Sequence, residues 1–454
     1  MEINLSVLLL TLFQLAFLFY VLRKNILRFG NIQIFDPFSL LLIIYTIGFS
    51  IVPIFIITSN SPDLIIPGSI GLLDLIPRAQ LLEITSMIFA YLGYLHKKKS
   101  VHININYDKY KWDSDKLDVV INIFIIIYFI SIYDRIETNT FFFTVENIQN
   151  VTNKSIFTSA LSFLGFRGST FYLVGPLPIL AIALSQLNSR KYKFLFYSIS
   201  SINILIGLYS GQKEIISATI FVYIFYLYYC NNNLTIFTEI KMIFSFLIFL
   251  IISILSNLYR EFFNLYGYFP SYFDLLLNIQ FEDFNYILQR IDYLNVSIKV
   301  ISQTPSVVPY YLGQTYIEAL DSIKIFLPFI DRSSESAFNN TFGRVYGLIY
   351  IDDYSTGITV PQFIELFINF GYFLTMPLMY FFGYFLKYIS FFLKSNNLNY
   401  KLVGFFLLYV WVNQSVALSF SSLFIIQLRL IIPLSLILFL LNNKKNKYNN
   451  SIQP

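Results

Sequence analysis

Residues 357–365, Gly-Ile-Thr-Val-Pro-Gln-Phe-Ile-Glu, end the longest break in the hydrophobic pattern of this chain. On both sides of the break, apolar segments follow one another from near Leu5 almost to Leu441. Many of these segments have about 20 residues, the length at which a helix crosses a bilayer. The break runs from about Arg260 to Gln362 and is the only gap between them of domain size. A membrane protein with one large loop usually works at the face that carries the loop, so the side of this loop matters for function.

The composition favours an all-α polytopic membrane protein. Hydrophobic residues make up 56% of the chain and charged residues 13%, and the mean hydropathy is +0.64. A soluble chain of this length could not bury that much apolar surface, whereas helices in a bilayer satisfy their own backbone hydrogen bonds. The single cysteine, Cys230, excludes an intramolecular disulfide. The sequence also lacks a CxxC pair, a glycine-rich phosphate loop and a histidine-rich metal motif.

About eleven transmembrane helices fit the hydropathy pattern, within a range of ten to twelve. We expect about eight of them in residues 1–259, a large extracytoplasmic loop of short helices in residues 260–362, and about three helices with a short tail in residues 363–454. The first apolar segment is not followed by a small-residue cleavage site, so we interpret it as a retained span rather than a signal peptide. The predicted spans are 5–22, 35–57, 79–95, 117–134, 169–187, 194–210, 214–230, 242–259, 363–386, 402–418 and 422–441.

The lysines and arginines indicate which side each connection faces. Alternate short connections between the predicted spans hold 19 basic residues in one set and 5 in the other. Cytoplasmic connections of membrane proteins are enriched in Lys and Arg, so the richer set is expected in the cytoplasm. The N-terminus and the large loop are then outside and the C-terminus is inside. An even span count with both termini inside is the alternative.

The large loop has a composition of its own. It carries 6 basic and 11 acidic residues, a net charge of −5, which does not suit nucleic acid or another polyanion. Helical periodicity covers Phe281–Ile301 and Thr315–Leu327, with Pro305 and Pro309 between them. This pattern predicts a small folded cap of short helices on the outer membrane surface.

Two kinds of chemistry are disfavoured. Both histidines, His96 and His102, fall in a connection predicted to be cytoplasmic. An outward-facing site would therefore have no histidine to act as a base or as a metal ligand. The predicted spans hold few charges for a proton relay or ion pathway, and no transporter-like internal repeat is visible. We expect neither a metal nor another cofactor.

Five basic residues are candidates for binding a phosphorylated substrate. Arg167 lies between glycines at a helix entry, which suits a phosphate, although an interfacial anchor is the alternative. Lys213, in a short break between two spans, and Arg260, directly after the eighth span, have a side chain extended to the interface as their alternative. Arg290 lies beside an acidic residue and has a structural ion pair as its alternative. Arg429 lies within a span, so it must face the bundle interior or water, in a functional or a structural pair.

Glu365 and Asn369 are the candidate polar residues at the end of the large loop. They are four residues apart at the start of the ninth predicted span, so they share one helix face. A carboxylate there could accept a proton or orient an acceptor, while a helix-entry Glu favoured by the macrodipole is the alternative. Further acidic residues of the loop, each best explained as a solvated surface charge, are Glu318, Asp321, Asp331, Glu335, Asp352 and Asp353.

The chain resembles the oligosaccharide repeat-unit polymerases, the Wzy-type O-antigen and capsule polymerases. Phe35-Asp36-Pro37-Phe38-Ser39, which opens a span, is similar to an early motif of that family. Ser210-Gly211-Gln212-Lys213 is similar to a central turn, with Gln-Lys where the family has Ser-Arg, and lysine lacks the bidentate grip of arginine on phosphate. Residues 311–316, 326–328 and 361–371 resemble the family's loop and loop-exit pattern. The resemblance covers most of the chain in layout, and its individual motifs are loose.

This resemblance implies a GT-C-like, metal-independent glycosyltransferase in the bacterial inner membrane. Such enzymes transfer a growing glycan from undecaprenyl diphosphate to the next lipid-linked repeat unit, and a chain-length regulator protein and membrane lipid are the implied partners. The five basic residues above would hold the diphosphate, and with no external histidine the base would be a carboxylate. A flippase or transporter for lipid-linked sugars and an O-antigen ligase are the alternatives.

Overall fold

A computed structural model describes most of the predicted helices. The described residues are 5–29, 33–51, 54, 74–96, 114–137, 176–185, 189–210, 213–230, 241, 244–245, 251, 255, 258, 277, 293–321, 342, 345–347, 360–395, 397–413 and 420–441.

Twelve α-helices lie within these residues. They are α1 (Leu5–Phe29), α2 (Pro37–Thr46), α3 (Ile76–Leu95), α4 (Ser114–Glu137), α5 (Pro176–Ser185), α6 (Arg190–Ser210), α7 (Lys213–Phe225), α8 (Tyr293–Gln303), α9 (Gln314–Asp321), α10 (Gln362–Leu393), α11 (Leu398–Leu408) and α12 (Phe420–Leu441). One turn of π-helix follows each of α2, α7 and α11, at Ile47–Ile51, Tyr226–Cys230 and Tyr409–Asn413.

The all-α prediction is confirmed, since every regular element in the described part of the chain is a helix. Two helices are long and apolar enough to cross a membrane by length and composition, Leu5–Leu27 near the N-terminus and Gln362–Leu393. Shorter apolar helical stretches lie at Pro37–Ile51, Pro176–Ser185, Ala218–Tyr229 and Leu398–Val412. The count of eleven spans and the three predicted domains stay predictions.

Helices α3 and α10 form the central pair of the bundle and run in the same direction. The Tyr372 hydroxyl donates to the main-chain oxygen of Arg78, 3.3 Å away, near the beginning of α3. About three helical turns further along both helices, Gly383 lies directly against the main chain of Ala90. A methyl group on Gly383 would overlap that backbone, so the pair can approach this closely only through small residues.

Two helices that pack on this pair, α2 and α11, run in the opposite direction. Helix α2 runs opposite to α3, because Phe49 lies beside Gln80 and Asp36 lies beside Tyr94. Helix α11 runs opposite to α10, because Gly404 packs on Leu393 while the rings of Trp411 and Phe385 meet further along. The central pair therefore has two distinct ends. We call the one that carries the starts of α3 and α10 the Gln362 end, and the other the Asp36 end.

The Asp36 end is closed by a network around one buried carboxylate. The Tyr94 hydroxyl donates to both oxygens of Asp36 at 2.7 Å, and the Ser390 hydroxyl donates to one of them at 3.0 Å. The ammonium of Lys394 lies 3.4 Å from the same carboxylate. Nearby, Lys401 donates to the main-chain oxygen of Tyr229. Side chains from three helices thus fix the beginning of α2 in place.

The two described helices of the large loop pack on the bundle rather than forming a separate unit. Helix α8 contacts α3, α10 and the π-turn that follows α2, and its side chains from Tyr293 to Ile298 are buried. Helix α9 contacts α12, where the ring of Tyr316 meets that of Phe420. These helices overlap the stretches where the sequence periodicity predicts loop helices, and the predicted cap on the membrane surface stays a prediction.

Candidate functional site

Glu365 and Asn369 are the two predicted site residues whose side chains the structure describes. Both side chains are fully buried near the beginning of α10, and the main-chain oxygen of Glu365 accepts from the Asn369 amide at 2.8 Å. They therefore share one helix face, as their spacing predicts.

The side chains of the five predicted basic residues lie outside the described residues. Lys213 begins α7 and Arg429 lies midway along α12, but both side chains are outside the described residues. Arg167, Arg260 and Arg290 lie outside the described residues altogether. Their roles stay predictions.

Helix α10 is broken in two at Gly371, where φ is +69° and ψ is −175°. Glycine adopts such a conformation readily, because it has no Cβ to clash with the backbone. The break leaves carbonyl groups before it without their normal helical partners. Two of them are satisfied from the loop, since Ile368 accepts from Tyr311 N at 2.9 Å and Asn369 accepts from Leu312 N at 3.1 Å.

The first part of α10, Gln362–Phe370, which we call the entry segment, does not continue the axis of the rest of the helix. The ring of Phe363 lies 5.2 Å from that of Phe49, which is beside Gln80 in α3. Tyr372, nine residues later, also contacts the beginning of α3, at Arg78. A straight α-helix would separate these two positions by about 13.5 Å. The entry segment therefore folds back beside the start of α3.

Asn369 clamps the entry segment to the loop before α9. Its side-chain oxygen accepts from Gly313 N at 2.9 Å, and its amide nitrogen donates to the Thr315 hydroxyl at 2.8 Å. Every polar atom of the Asn369 side chain thus holds structure in place. This clamp joins residues 311–316 to the entry segment, which are well separated in sequence.

The clamp sets Glu365 beside a buried tyrosine. The hydroxyl of Tyr316, on α9, is buried and has no hydrogen-bond partner among the described residues. Burial raises the pKa of Tyr316, and the charge of Glu365 raises it further. Tyr316 therefore stays a neutral hydroxyl at physiological pH, able to donate a hydrogen bond next to the carboxylate.

Sequence reasoning missed a second carboxylate, Glu83 in the second turn of α3. Its side chain is fully buried, and neither carboxylate oxygen has a hydrogen-bond partner among the described residues. It lies near the Tyr45 hydroxyl, which also neighbours the main chain of Gln362. A signal was present, since Glu83 is the acidic residue within the predicted span 79–95. An ionisable residue inside a span is by default a functional candidate.

Comparison with family models, with curated proteins and with solved structures finds no match for this chain.

Proposed function

We propose that this chain is a multi-pass protein of the bacterial inner membrane that polymerises undecaprenyl-diphosphate-linked oligosaccharide repeat units on the outer face. The observation that carries the proposal is the position of Glu365. It is a buried carboxylate on a broken helix, directly after the large loop and clamped to it. Discontinuous helices in membrane proteins typically mark the place where a polar substrate meets the bundle.

Two features support the membrane location. Large apolar side chains point outward from the bundle, among them Phe373, which is 94% exposed, and Leu27, Phe194 and Phe439. Exposed apolar surface of this kind is rare in a soluble monomer and ordinary against lipid. In addition, three lysines of one basic connection, Lys387, Lys394 and Lys401, bond to His96, Gln33 and Tyr229, which lie at or next to three other connections of the basic set. That clustering agrees with a cytoplasmic Asp36 end.

The chemistry is transfer of a glycosyl group between two lipid-linked substrates. The acceptor hydroxyl oxygen forms a bond to the anomeric carbon of the donor glycan. The bond from that carbon to the diphosphate oxygen breaks, and the undecaprenyl diphosphate leaves with the electron pair. Glu365 takes the acceptor proton. Arg167, Lys213, Arg260, Arg290 and Arg429 would stabilise the negative charge on the departing diphosphate.

The test uses a strain that lacks this gene and is complemented with variants. We expect Glu365→Gln, Arg167→Ala and Lys213→Ala to leave single repeat units where long chains normally appear. Lys191→Ala is the matched control, because Lys191 lies in a predicted cytoplasmic connection and its exposed side chain pairs with partly buried Asp118. It should give normal chains. Long chains in all three site variants, with the proteins inserted, would contradict the site, and loss of even single units would favour the transporter alternative.

The orientation has a separate test. Cys230 is replaced by serine, and single cysteines are placed at Ser334, in the large loop, and at Ser395, beyond α10. An impermeant thiol reagent applied to intact spheroplasts should label only the first. Labelling of Ser395→Cys alone would reverse the assignment of the two ends.

A further inference from the structure

Unpartnered polar atoms collect around Glu83. In the described part of the chain, hydrogen-bond partners are lacking for both Glu83 oxygens, the Tyr45 and Ser86 hydroxyls, one Gln80 oxygen and both polar atoms of the Gln362 amide. All five of these side chains are at most 1% exposed. We call them the Glu83 cluster.

Three members of the cluster share one face of α3. Gln80, Glu83 and Ser86 follow one another at intervals of three residues, so they form one line along the helix. Gln80, the first of the three, is held in place by hydrogen bonds. Its side-chain nitrogen donates to Phe49 O at 3.0 Å and to the Thr11 hydroxyl at 3.1 Å. The other polar atom of this amide, the Gln80 oxygen, has no hydrogen-bond partner among the described residues.

The other two members bring α2 and α10 to the same place. The Tyr45 hydroxyl interacts electrostatically with Glu83 and neighbours the main chain of Gln362. The ring of Phe363, the next residue, lies 5.7 Å from the Tyr45 ring. The cluster therefore sits where α2, α3 and the entry segment meet.

Unpartnered polar groups in a protein interior are unfavourable, and they are uncommon in folded proteins. Elsewhere in the described residues, the Asn369 clamp and the Asp36 network are paired, and unpartnered atoms such as the Tyr316 hydroxyl and the Gln14 amide nitrogen occur singly. A concentration of unpaired groups in one place therefore indicates a ligand that supplies the missing partners.

The chemistry of the unpaired atoms selects the ligand. The Gln80 oxygen only accepts hydrogen bonds, the Gln362 nitrogen only donates, the two hydroxyls do both, and the Glu83 carboxyl accepts and, when protonated, also donates. An anion would face the acceptor oxygens of Gln80 and Gln362, and a metal ion would leave the Gln362 N–H unpaired. Sugar hydroxyls donate and accept at once, so they match the whole set.

We propose that the Glu83 cluster binds hydroxyl groups of the acceptor sugar, with Glu83 as a substrate-contacting residue. This inference rests on the proposed function. Gln362 and Glu365 are three residues apart, so they lie on neighbouring positions of the same face of the entry segment. The two residues are separated by about 4.5 Å along the helix axis, so a hydroxyl held by Gln362 and Glu83 would lie close to Glu365. The cluster would position the acceptor, and Glu365 would take its proton.

The test measures chain elongation in membrane vesicles. The substrate is the lipid-linked repeat unit extracted from the strain that lacks this gene, and its concentration is varied. Loss of one hydrogen bond to a charged group corresponds to about a tenfold or larger loss of affinity. We expect Glu83→Gln and Gln362→Leu each to raise the half-saturating concentration by about tenfold or more, with a smaller change in maximal rate. Glu365→Gln should instead lower the maximal rate.

Thr85→Val is the matched control on the same helix. The Thr85 hydroxyl bonds only to carbonyl groups of its own helix, Leu81 O at 2.7 Å and Leu82 O at 3.1 Å. It should leave both parameters unchanged. Unchanged half-saturation in Glu83→Gln and Gln362→Leu, at normal protein level, would overturn the cluster's role and would mean that water alone fills it. Full elongation by Glu365→Gln would instead count against the proposed function.

Discussion

The two ends of the central helix pair differ in whether their buried carboxylate has hydrogen-bond partners. At the Asp36 end, Asp36 receives hydrogen bonds from Tyr94 and Ser390 and lies near Lys394. At the Gln362 end, Glu83 is as deeply buried but has no hydrogen-bond partner among the described residues. A satisfied buried charge fixes helices in register, whereas an unsatisfied one lowers stability and is retained for another reason. The comparison indicates that the Asp36 end has a structural role and that the Gln362 end has a functional one.

The largest expected effect comes from forcing the two central helices, α3 and α10, apart. Gly383 lies against the Ala90 backbone, and backbone atoms cannot move aside as a flexible side chain can. We expect Gly383→Leu to destabilise the protein by more than about 3 kcal/mol and to prevent accumulation of folded protein. Protein level in membranes and thermal unfolding of the purified protein measure this. A stable Gly383→Leu protein would mean that the central pair does not hold the ends together.

Asp36→Ala tests the structural end. The substitution leaves the Tyr94 and Ser390 hydroxyls without their acceptor, and each unpaired buried group costs about 1–3 kcal/mol. Because the Lys394 side chain is 38% exposed, its attraction to Asp36 adds little. We expect a loss of about 2–4 kcal/mol, measured as a lower unfolding temperature. Thr85→Val, whose hydroxyl bonds only to carbonyl groups of its own helix, is the control. An unfolding temperature equal to wild type in Asp36→Ala would contradict the role of Asp36 in fixing the beginning of α2.

Glu83→Leu should have the opposite sign. Replacing an unpaired buried carboxyl by an apolar side chain of similar size is neutral or stabilising, by up to about 1–3 kcal/mol. We expect the unfolding temperature to stay the same or rise while chain elongation is lost. Such a gain of stability with loss of activity is typical of a binding group. A large fall in unfolding temperature would show that Glu83 is part of the scaffold.

Gly371→Ala should have the smallest effect of the four, and Gly347→Ala is its matched control. Both glycines have positive φ, +69° and +62°, so alanine is strained at either position. Only at Gly371 would the new methyl group also meet a side chain, the Tyr310 ring at 3.3 Å. We expect a loss of about 1 kcal/mol at Gly347 and about 2 kcal/mol at Gly371, from unfolding curves. Equal losses would remove the Tyr310 contact as a support of the break.

The sequence by itself determined the helical class, the position of the loop helices and the face that Glu365 and Asn369 share. These properties are local, because they depend on hydropathy and on the 3.6-residue period of a helix within a short window. The lysines at the Asp36 end belong to the Lys- and Arg-rich set of connections, which the sequence alone also distinguishes.

Only the tertiary structure decided where the chain departs from these hydropathy and helical-period patterns. Hydropathy predicts one continuous span over residues 363–386, but the helix breaks at Gly371, because loop residues 311 and 312 supply hydrogen bonds to its freed carbonyl groups. Hydropathy likewise counts Glu83 as one charge in an apolar segment. Whether it meets a partner depends on Tyr45 and Gln362, which are 38 and 279 residues away in sequence. Local patterns record what each segment contains, and only packing decides which buried polar groups are paired.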